Sequence, residues 1–169
     1  MTDLSVSAAA PWRAGVIQDF AKSELFDRTF DEGMLLVEET AGYLDGAGRH
    51  DSKILSRNAA LAYATESMRL TTRLMQVASW LLVQRAVREG EMAAEAACAE
   101  NYRLAEEIAA VAAAIEELPY GLVNLLQRSE RLYERVRHLD KRMYVEVAAE
   151  DAPRAVQAQF DRLTAAFGG

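Results

Sequence analysis

The sequence predicts an all-α fold, and three observations support this prediction. Alanine is abundant along the 169 residues, and it loses no side-chain entropy in a helix. The three prolines, Pro11, Pro119 and Pro153, lie between periodic stretches rather than inside them. No stretch alternates apolar and polar residues for long enough to indicate a strand. We therefore expect an elongated three-helix bundle with long helices, the third helix being broken or kinked near Pro119.

The first two long helices are indicated by apolar residues three and four positions apart. The first is expected over about 23–44, and the second over about 52–88, capped by Asp51 or Ser52 and ending before Gly90. Two stripes on adjoining faces predict that the second helix is the central element and is covered on two sides. One stripe consists of Leu61, Thr65, Met68, Thr72, Met75, Ser79, Leu82 and Ala86, and the other of Tyr63, Ser67, Leu70, Leu74, Val77 and Leu81.

A third helix is expected to begin near Ala94. The apolar residues of its first half are Leu104, Ile108, Val111, Ile115 and Leu118. Pro119 should break it, because the residue before a proline avoids the helical region. Beyond the break, steps of three and four form a heptad seam, typical of antiparallel bundles and coiled coils: Leu122, Leu125, Ser129, Leu132, Val136, Leu139 and Met143.

These elements divide the chain into three parts. Residues 23–147 are predicted to form the helical bundle domain. Residues 1–22 are weakly structured or dock on the bundle, and residues 148–169 form a C-terminal tail or a short amphipathic helix. A bundle this slender leaves apolar edges open, which favours a homodimer.

The composition excludes several classes of protein. A hydrophobic fraction of 51% excludes a disordered chain, and a single cysteine excludes a disulfide framework. The longest uncharged hydrophobic run lies between Arg73 and Arg85, far short of the roughly 20 residues that a bilayer span needs. No basic and then apolar signal region opens the sequence. We therefore expect a cytoplasmic protein without a membrane partner.

The net charge of −7 is unevenly distributed. Counting acids against bases gives −6 for 24–51, +5 for 52–88, −7 for 89–118 and +3 for 127–142. Successive stretches of opposite sign predict that complementary helices pack together, while an exposed basic face that binds an acidic protein stays an alternative. A pI near 4.9 makes nucleic acid an unlikely partner.

The residue types that carry chemistry do not form a catalytic pattern. His50 and His138 have no metal-ligand partner at a suitable spacing, and Cys98 is expected to be a small buried side chain. Acid pairs such as Glu38 and Glu39 are adjacent, so they point in different directions on a helix. No glycine pattern for phosphate binding occurs. The sequence therefore predicts a non-enzymatic protein with neither a cofactor nor a metal.

One polar group on the central helix stands out. Its members lie three or four residues apart: Glu66, Arg69, Arg73, Gln76 and Trp80. Arg69 and Arg73 repel each other unless each finds an acid, and Glu66 can serve only one of them. The second acid would come from another helix, a second subunit or a partner.

We therefore interpret these five residues as partner-binding or dimer contacts, with ion pairs between helices of one chain as the structural alternative. A small all-α anion-binding protein or enzyme that uses Arg69 and Arg73 is a further alternative. That alternative requires both guanidinium groups to line an enclosed pocket without acid partners.

The central helix also carries a resemblance to a known family. Residues 60–82 read ALAYATESMRLTTRLMQVASWLL, which resembles the signature of the RcdA family of alphaproteobacteria, the regulators of CtrA degradation. Shorter stretches that resemble the family lie at 32–34, 37–41, 43–46, 84–87, 89–91 and 132–140. The resemblance covers roughly residues 24–145.

This resemblance implies a function through protein partners. Members of the family are adaptors that deliver substrates, including the cell-cycle regulator CtrA, to the ClpXP protease. They act beside a response-regulator adaptor that primes the unfoldase, and they are helical bundles that dimerise. The expected partners are therefore the ClpXP machinery, the response-regulator adaptor and cargo transcription regulators. A structural or DNA-associated dimer stays a further hypothesis.

Overall fold

The computed structural model describes residues 11–107 and 115–146, and within these ranges it contains helices and no strand. The predicted all-α class is thereby confirmed. The α-helices are α1 (Pro11–Ala21), α2 (Glu24–Asp45), α3 (Ala47–Lys53), α4 (Arg57–Arg88), α5 (Ala94–Ala97) and α6 (Tyr120–Lys141). Shorter turns are the 3-10 helices Glu100–Tyr102 and Ile115–Glu117 and the π-helix Arg142–Glu146.

The long helices α2, α4 and α6 pack against one another pairwise, and α1 packs on α4 and α5. Six α-helices in the described residues make a richer arrangement than the predicted three. The side chains of α1 enter the core, where Ile17 and Ala21 are fully buried and Phe20 packs on Trp80 with ring centroids 5.7 Å apart. Residues 1–10 and 148–169 lie outside the described residues.

Serine caps define where α2 and α4 begin. Ser23 accepts a hydrogen bond from the Phe26 backbone N–H at 3.2 Å, and Ser56 accepts one from Ala59 at 3.2 Å. The predicted cap at Asp51 or Ser52 is wrong because both residues belong to α3. Gly48 makes α3 possible here: it is buried, and a Cβ at this position would lie 2.7 Å from the Tyr43 ring.

The prediction of a long third helix from Ala94 is wrong for the described residues. In the segment from Ala94 to residue 107, only Ala94–Ala97 is α-helical. After the 3-10 turn, Arg103 has an extended backbone and residues 104–107 have no helical or strand assignment; we call residues 103–107 the strap. Residues 108–114 lie outside the described part. The break at Pro119 is confirmed, because α6 begins at the next residue.

The strap is extended because of the path that it must follow. Leu104 lies beside Trp80, because both donate a hydrogen bond to Asp140. Glu107 lies beside Arg73, from which it accepts a hydrogen bond. Seven residues of α4 cover about 10 Å at 1.5 Å per residue. Three extended residues cover about 10 Å, whereas three helical residues would cover about 5 Å. The strap therefore runs back along the bundle and lets α6 run parallel to α4.

One of the two apolar stripes of α4 is mostly buried, and the other is mostly exposed. The stripe of Leu70, Leu74, Val77 and Leu81 is buried, as is most of the α6 seam. In the other stripe, Leu61, Met68, Met75 and Leu82 are between 51% and 71% exposed, so the prediction that both stripes are covered is wrong for the described part of the chain. The reason is that α1, α2, α6 and the strap take up the remaining faces of α4.

Ion pairs join helices of opposite charge. The acidic helix α2 pairs with α4 through Asp27 and Arg88, and with α6 through Glu39 and Arg128. The hydrogen bond from Arg128 lowers the pKa of Glu39. The predicted packing of complementary helices is confirmed for the acidic α2, while the two basic helices α4 and α6 also pack against each other through buried apolar residues. These pairs are substantially exposed, so each stabilises the fold by only about 0.2–1 kcal/mol.

Alkaline pH should destabilise the protein through Tyr144. This hydroxyl donates to the Ala97 carbonyl at 2.7 Å, and burial raises its pKa from 10.0 to about 12. The unfolded chain loses the proton first, so the stabilisation is complete below pH 10 and falls as the pH rises toward 12, by at most ~1.4 kcal/mol per pH unit. Urea unfolding at a series of pH values measures this slope.

The matched variants are Tyr144→Phe and Tyr120→Phe. The first should reduce the alkaline slope and cost about 1 kcal/mol near neutral pH, because Ala97 loses its donor. The second should change neither quantity, because Tyr120 is 83% exposed. An unchanged slope in Tyr144→Phe would contradict the assignment.

A candidate protein-interaction site on the central helix

The predicted polar group of α4 faces the interior. Glu66, Arg73 and Trp80 are buried with 5%, 3% and 2% exposure, while Arg69 and Gln76 are half-buried beside them. Glu66, Arg73 and Trp80 are seven residues apart and therefore lie along one face of the helix. Opposite them lie residues of α6 and the strap. We call the buried set of Arg73, Trp80, Tyr133 and Asp140, with the strap, the polar seam.

Asp140 is the acceptor at one end of the polar seam. Its Oδ1 accepts from Trp80 Nε1 at 3.0 Å and from the Leu104 backbone N–H at 3.1 Å, and its Oδ2 accepts from Arg103 at 3.2 Å. Asp140 is 3% exposed, so these bonds replace the water that a carboxylate would otherwise bind. One carboxylate thus ties α4, α6 and the strap together.

Arg73 lies at the other end of the polar seam. Its Nε donates to Glu107 at 2.6 Å, and its Nη1 donates to the Ser129 hydroxyl at 2.9 Å. Tyr133 lies alongside: its hydroxyl donates to the Ala105 carbonyl at 2.8 Å and accepts from the Glu107 backbone N–H at 3.0 Å. Burial raises the pKa of the Tyr133 hydroxyl, which keeps it protonated as a donor. The strap thus bonds to side chains instead of forming a helix.

The remaining arginine has a local partner. Arg69 Nη1 reaches the two oxygens of Glu66 at 3.0 and 3.1 Å within the same helix. Both arginines of the predicted group therefore contact carboxylates, one within α4 and one on the strap. The condition set for an anion site, two guanidinium groups without acid partners, is not met.

Gln76 and Trp80 also line a cleft of about 480 Å³ between α4 and the segment 101–105. Within the described residues, the Gln76 Oε1 atom is shielded from water and has no hydrogen-bond partner. A smaller and almost wholly apolar pocket, about 220 Å³, lies on the other side of Met75 between α2 and α4. Exposed Met68, Met75 and their neighbours therefore form a ridge beside an apolar hollow.

Sequence reasoning missed Asp140, Tyr133 and Glu107. The sequence did contain a signal for Asp140 and Tyr133: with Leu126 they form a row at seven-residue spacing, which lies on one face of the helix beside the predicted α6 seam. Glu107 gave no signal, because it was placed on a helix. His50 and His138 are exposed. Cys98 is buried, as predicted, and burial raises the pKa of its thiol.

The described residues contain no group of three or more His, Cys, Asp or Glu side chains arranged to hold a metal ion. In the same part of the chain, no helix combines the length and apolar character that a membrane crossing requires. The fold and the polar seam define an all-helical protein whose buried charges hold its own elements together and whose central helix presents an uncharged ridge to solvent.

The chain belongs to the DUF1465 family, described as a protein of unknown function, whose model matches residues 17–167. It is similar to the crystal structure of RcdA from Caulobacter crescentus CB15, with 80% sequence identity and a TM-score of 0.64. That match covers 76% of this chain and 98% of the RcdA chain. The resemblance to the RcdA family is therefore confirmed. No curated protein matches the sequence significantly.

Arg73 should be required for folding stability. Arg73→Glu places a second carboxylate against Glu107 and leaves the Ser129 hydroxyl without its donor, so the free energy of unfolding should fall by about 3–5 kcal/mol. Urea unfolding followed by circular dichroism measures it. Arg57→Glu is the matched control, because Arg57 is exposed at the start of the same helix. Equal stability of the two variants would contradict a structural role for Arg73.

Asp140→Ala should also destabilise the fold. It leaves the buried Trp80 N–H and the Leu104 N–H without an acceptor, which costs about 2–4 kcal/mol. Asp31→Ala, at an exposed position of α2, should change stability by less than about 0.5 kcal/mol. Hydrogen exchange of the Leu104 amide should accelerate only in the first variant. Continued protection of that amide would show that Asp140 does not hold the strap.

Proposed function

We propose that this chain is a non-enzymatic adaptor in regulated proteolysis, which tethers CtrA-like cell-cycle regulators to the ClpXP protease together with a response-regulator adaptor. The observation that carries the proposal is the 80% identity to RcdA over 98% of that chain. RcdA family members are regulators of CtrA degradation, and so close a relative is expected to share the role.

The side chains support a binding role in two ways. Arg69 and Arg73 of α4 pair with Glu66 and Glu107, and Trp80 donates to Asp140, so the polar group of α4 is satisfied inside the protein. The exposed residues of α4 between Asn58 and Leu82 are uncharged, and they include the large apolar side chains of Leu61, Met68, Met75 and Leu82. A surface of this kind suits association with a protein, because burying it releases water without a cost for desolvating charge.

Tethering gives the mechanism. A cargo held on the adaptor experiences the protease at an effective concentration in the mM range, set by the geometry of the complex. Delivery then accelerates without any new contact at the proteolytic site. The partners would be the ClpXP machinery, the response-regulator adaptor and the cargo regulators, all in the cytoplasm.

We also propose that the working form is a homodimer. The RcdA resemblance and the exposed apolar residues of α4 both support this. Two copies would give two sets of binding surfaces, which strengthens attachment to an oligomeric protease through avidity.

A reconstituted degradation assay tests the tethering mechanism. Purified ClpXP, the response-regulator adaptor and a CtrA-like cargo are mixed with increasing amounts of this chain. The degradation rate should rise to a maximum near stoichiometric adaptor and then fall, because excess adaptor places cargo and protease on different copies. The control is a protease substrate that needs no adaptor, whose degradation should stay constant. A cargo rate that does not respond to the chain at any concentration would contradict the proposal.

A further inference from the structure

The cleft between α4 and the segment 101–105 is an elongated groove of about 480 Å³, which we call the strap cleft. On α4 it is lined by a row of residues three or four positions apart: Thr72, Met75, Gln76, Ser79, Trp80 and Val83. This row covers about 16 Å of helix at 1.5 Å per residue. The opposite wall consists of Asn101, Tyr102, Arg103 and Ala105. One wall is therefore helical, and the other is mostly strap.

The strap has backbone groups bonded to the bundle and others left free. The Leu104 N–H, the Ala105 carbonyl and the Glu107 N–H all bond to side chains of α6. Within the described residues, the N–H groups of Ala105 and Glu106 form no hydrogen bond, and both residues are exposed. A segment with free N–H groups beside a groove can pair with the backbone of an added extended chain.

Two side chains of the strap cleft lack partners as well. Gln76 Oε1 is an acceptor and Arg103 Nε is a donor, and neither has a hydrogen-bond partner in the part of the chain that the structure describes. The Gln76 amide turns about a soft terminal torsion, so its oxygen can reach a molecule in the cleft. A peptide group carries both an N–H and a C=O, which are the two kinds of group that these atoms lack.

The apolar part of the strap cleft comes from Trp80, Met75 and Val83. The indole N–H of Trp80 already donates to Asp140 at 3.0 Å, so the ring offers no free donor to the cleft. An occupant therefore gains most here by burying an apolar side chain against these three residues.

Charge around the strap cleft selects the kind of segment. Glu100 and Glu106 lie at the two ends of the strap side, both are exposed, and neither forms an ion pair within the described residues. Arg103 is the charged residue of the lining, and it is paired with Asp140. The exposed residues of α4 between 58 and 82 are uncharged. A chain in the cleft thus meets unpaired negative charge, which favours lysine or arginine in it.

We propose that the strap cleft is a docking groove for an extended, basic segment of a protein partner. The segment pairs its backbone with Ala105, Glu106 and Gln76. It places an apolar side chain against Trp80 and Val83 and carries lysine or arginine beside that residue. This inference rests on the proposed function, which supplies the candidate partners, and it names where on the chain one of them binds and the chemistry of the segment that does so.

The test uses short overlapping peptides that cover the CtrA-like cargo, ClpX and the response-regulator adaptor, with binding to the full chain followed by fluorescence anisotropy. The peptides that bind should share an apolar residue flanked by lysine or arginine. Ala105→Trp fills the strap cleft with an indole ring and should weaken their binding at least about tenfold. Ala99→Trp is the matched control, because Ala99 is exposed nearby and does not line the cleft. Both variants should keep wild-type circular dichroism.

A charge variant tests the acidic rim. Glu106→Lys should weaken binding of the basic peptides about two- to fivefold and reduce its dependence on salt, because one exposed attraction is lost. Glu38→Lys makes the same change at an exposed position of α2 and should bind like the wild type. Hydrogen exchange followed by NMR tests the backbone pairing: the amides of Ala105 and Glu106 should exchange more slowly when a peptide is bound.

Several outcomes would overturn the inference. One is a set of peptides none of which binds the wild type, or binding peptides that are acidic. Another is equal binding to Ala105→Trp and Ala99→Trp. Unchanged exchange of the Ala105 and Glu106 amides in the bound state would also contradict it. A loss of self-association in Ala105→Trp alone would assign the strap cleft to a contact between copies of this chain instead.

The reconstituted degradation assay separates this inference from the adaptor role. If the wild type delivers cargo and no peptide distinguishes Ala105→Trp from Ala99→Trp, the adaptor role stands and the docking groove fails. If peptides bind in the strap cleft and the wild type accelerates no degradation, the groove stands and the adaptor role fails. Delivery that falls in Ala105→Trp and persists in Ala99→Trp would support both.

Discussion

The buried carboxylate of Asp140 is the interaction on which the arrangement of the chain depends. It binds one donor from α4 and two from the strap while standing on α6, so three elements distant in sequence meet at one side chain. Without water, a carboxylate at 3% exposure is tolerated only with such a set of donors. Arg73 performs the same task about two turns of α4 away from Trp80, where it binds Glu107 and Ser129. Together they fix an extended return segment between two parallel helices.

This use of charge explains what the protein presents to its surroundings. The cations of α4 that sequence reasoning offered to partners are neutralised by Glu66 and Glu107. We propose that α4 instead offers a partner its exposed, uncharged residues between Asn58 and Leu82. An adaptor gains from this division, because the polar seam keeps the bundle in one geometry while the apolar surface supplies association energy. Specificity for cargo would then arise from the other surfaces of the molecule.

The sequence predicted the elements that depend on residues close together in the chain and missed those that depend on contacts between distant residues. Local periodicity predicted α2, most of α4 and α6, and the break at Pro119, because those elements depend on residues three or four apart. One of Arg69 and Arg73 was predicted to need an acid from outside the helix, and Arg73 has one in Glu107. The strap was not predicted. Its leucine, alanine and two glutamates favour a helix locally, whereas its hydrogen bonds with Asp140, Tyr133 and Arg73, dozens of residues away, hold it against the bundle. Amphipathic spacing likewise could not reveal whether the Leu61 to Leu82 row is covered by the same chain or left for another.

Methionine oxidation measured at increasing protein concentration tests most directly the central claim, that α4 keeps Glu66 and Arg73 inside the bundle and associates through its exposed apolar residues. Met68 and Met75 are 71% and 65% exposed, whereas Met143 is 4% exposed. Dilute peroxide followed by mass spectrometry should oxidise the first two rapidly in dilute protein and progressively more slowly as the concentration rises. Met143 should stay slow throughout. Oxidation rates of Met68 and Met75 that do not change with concentration would contradict the claim.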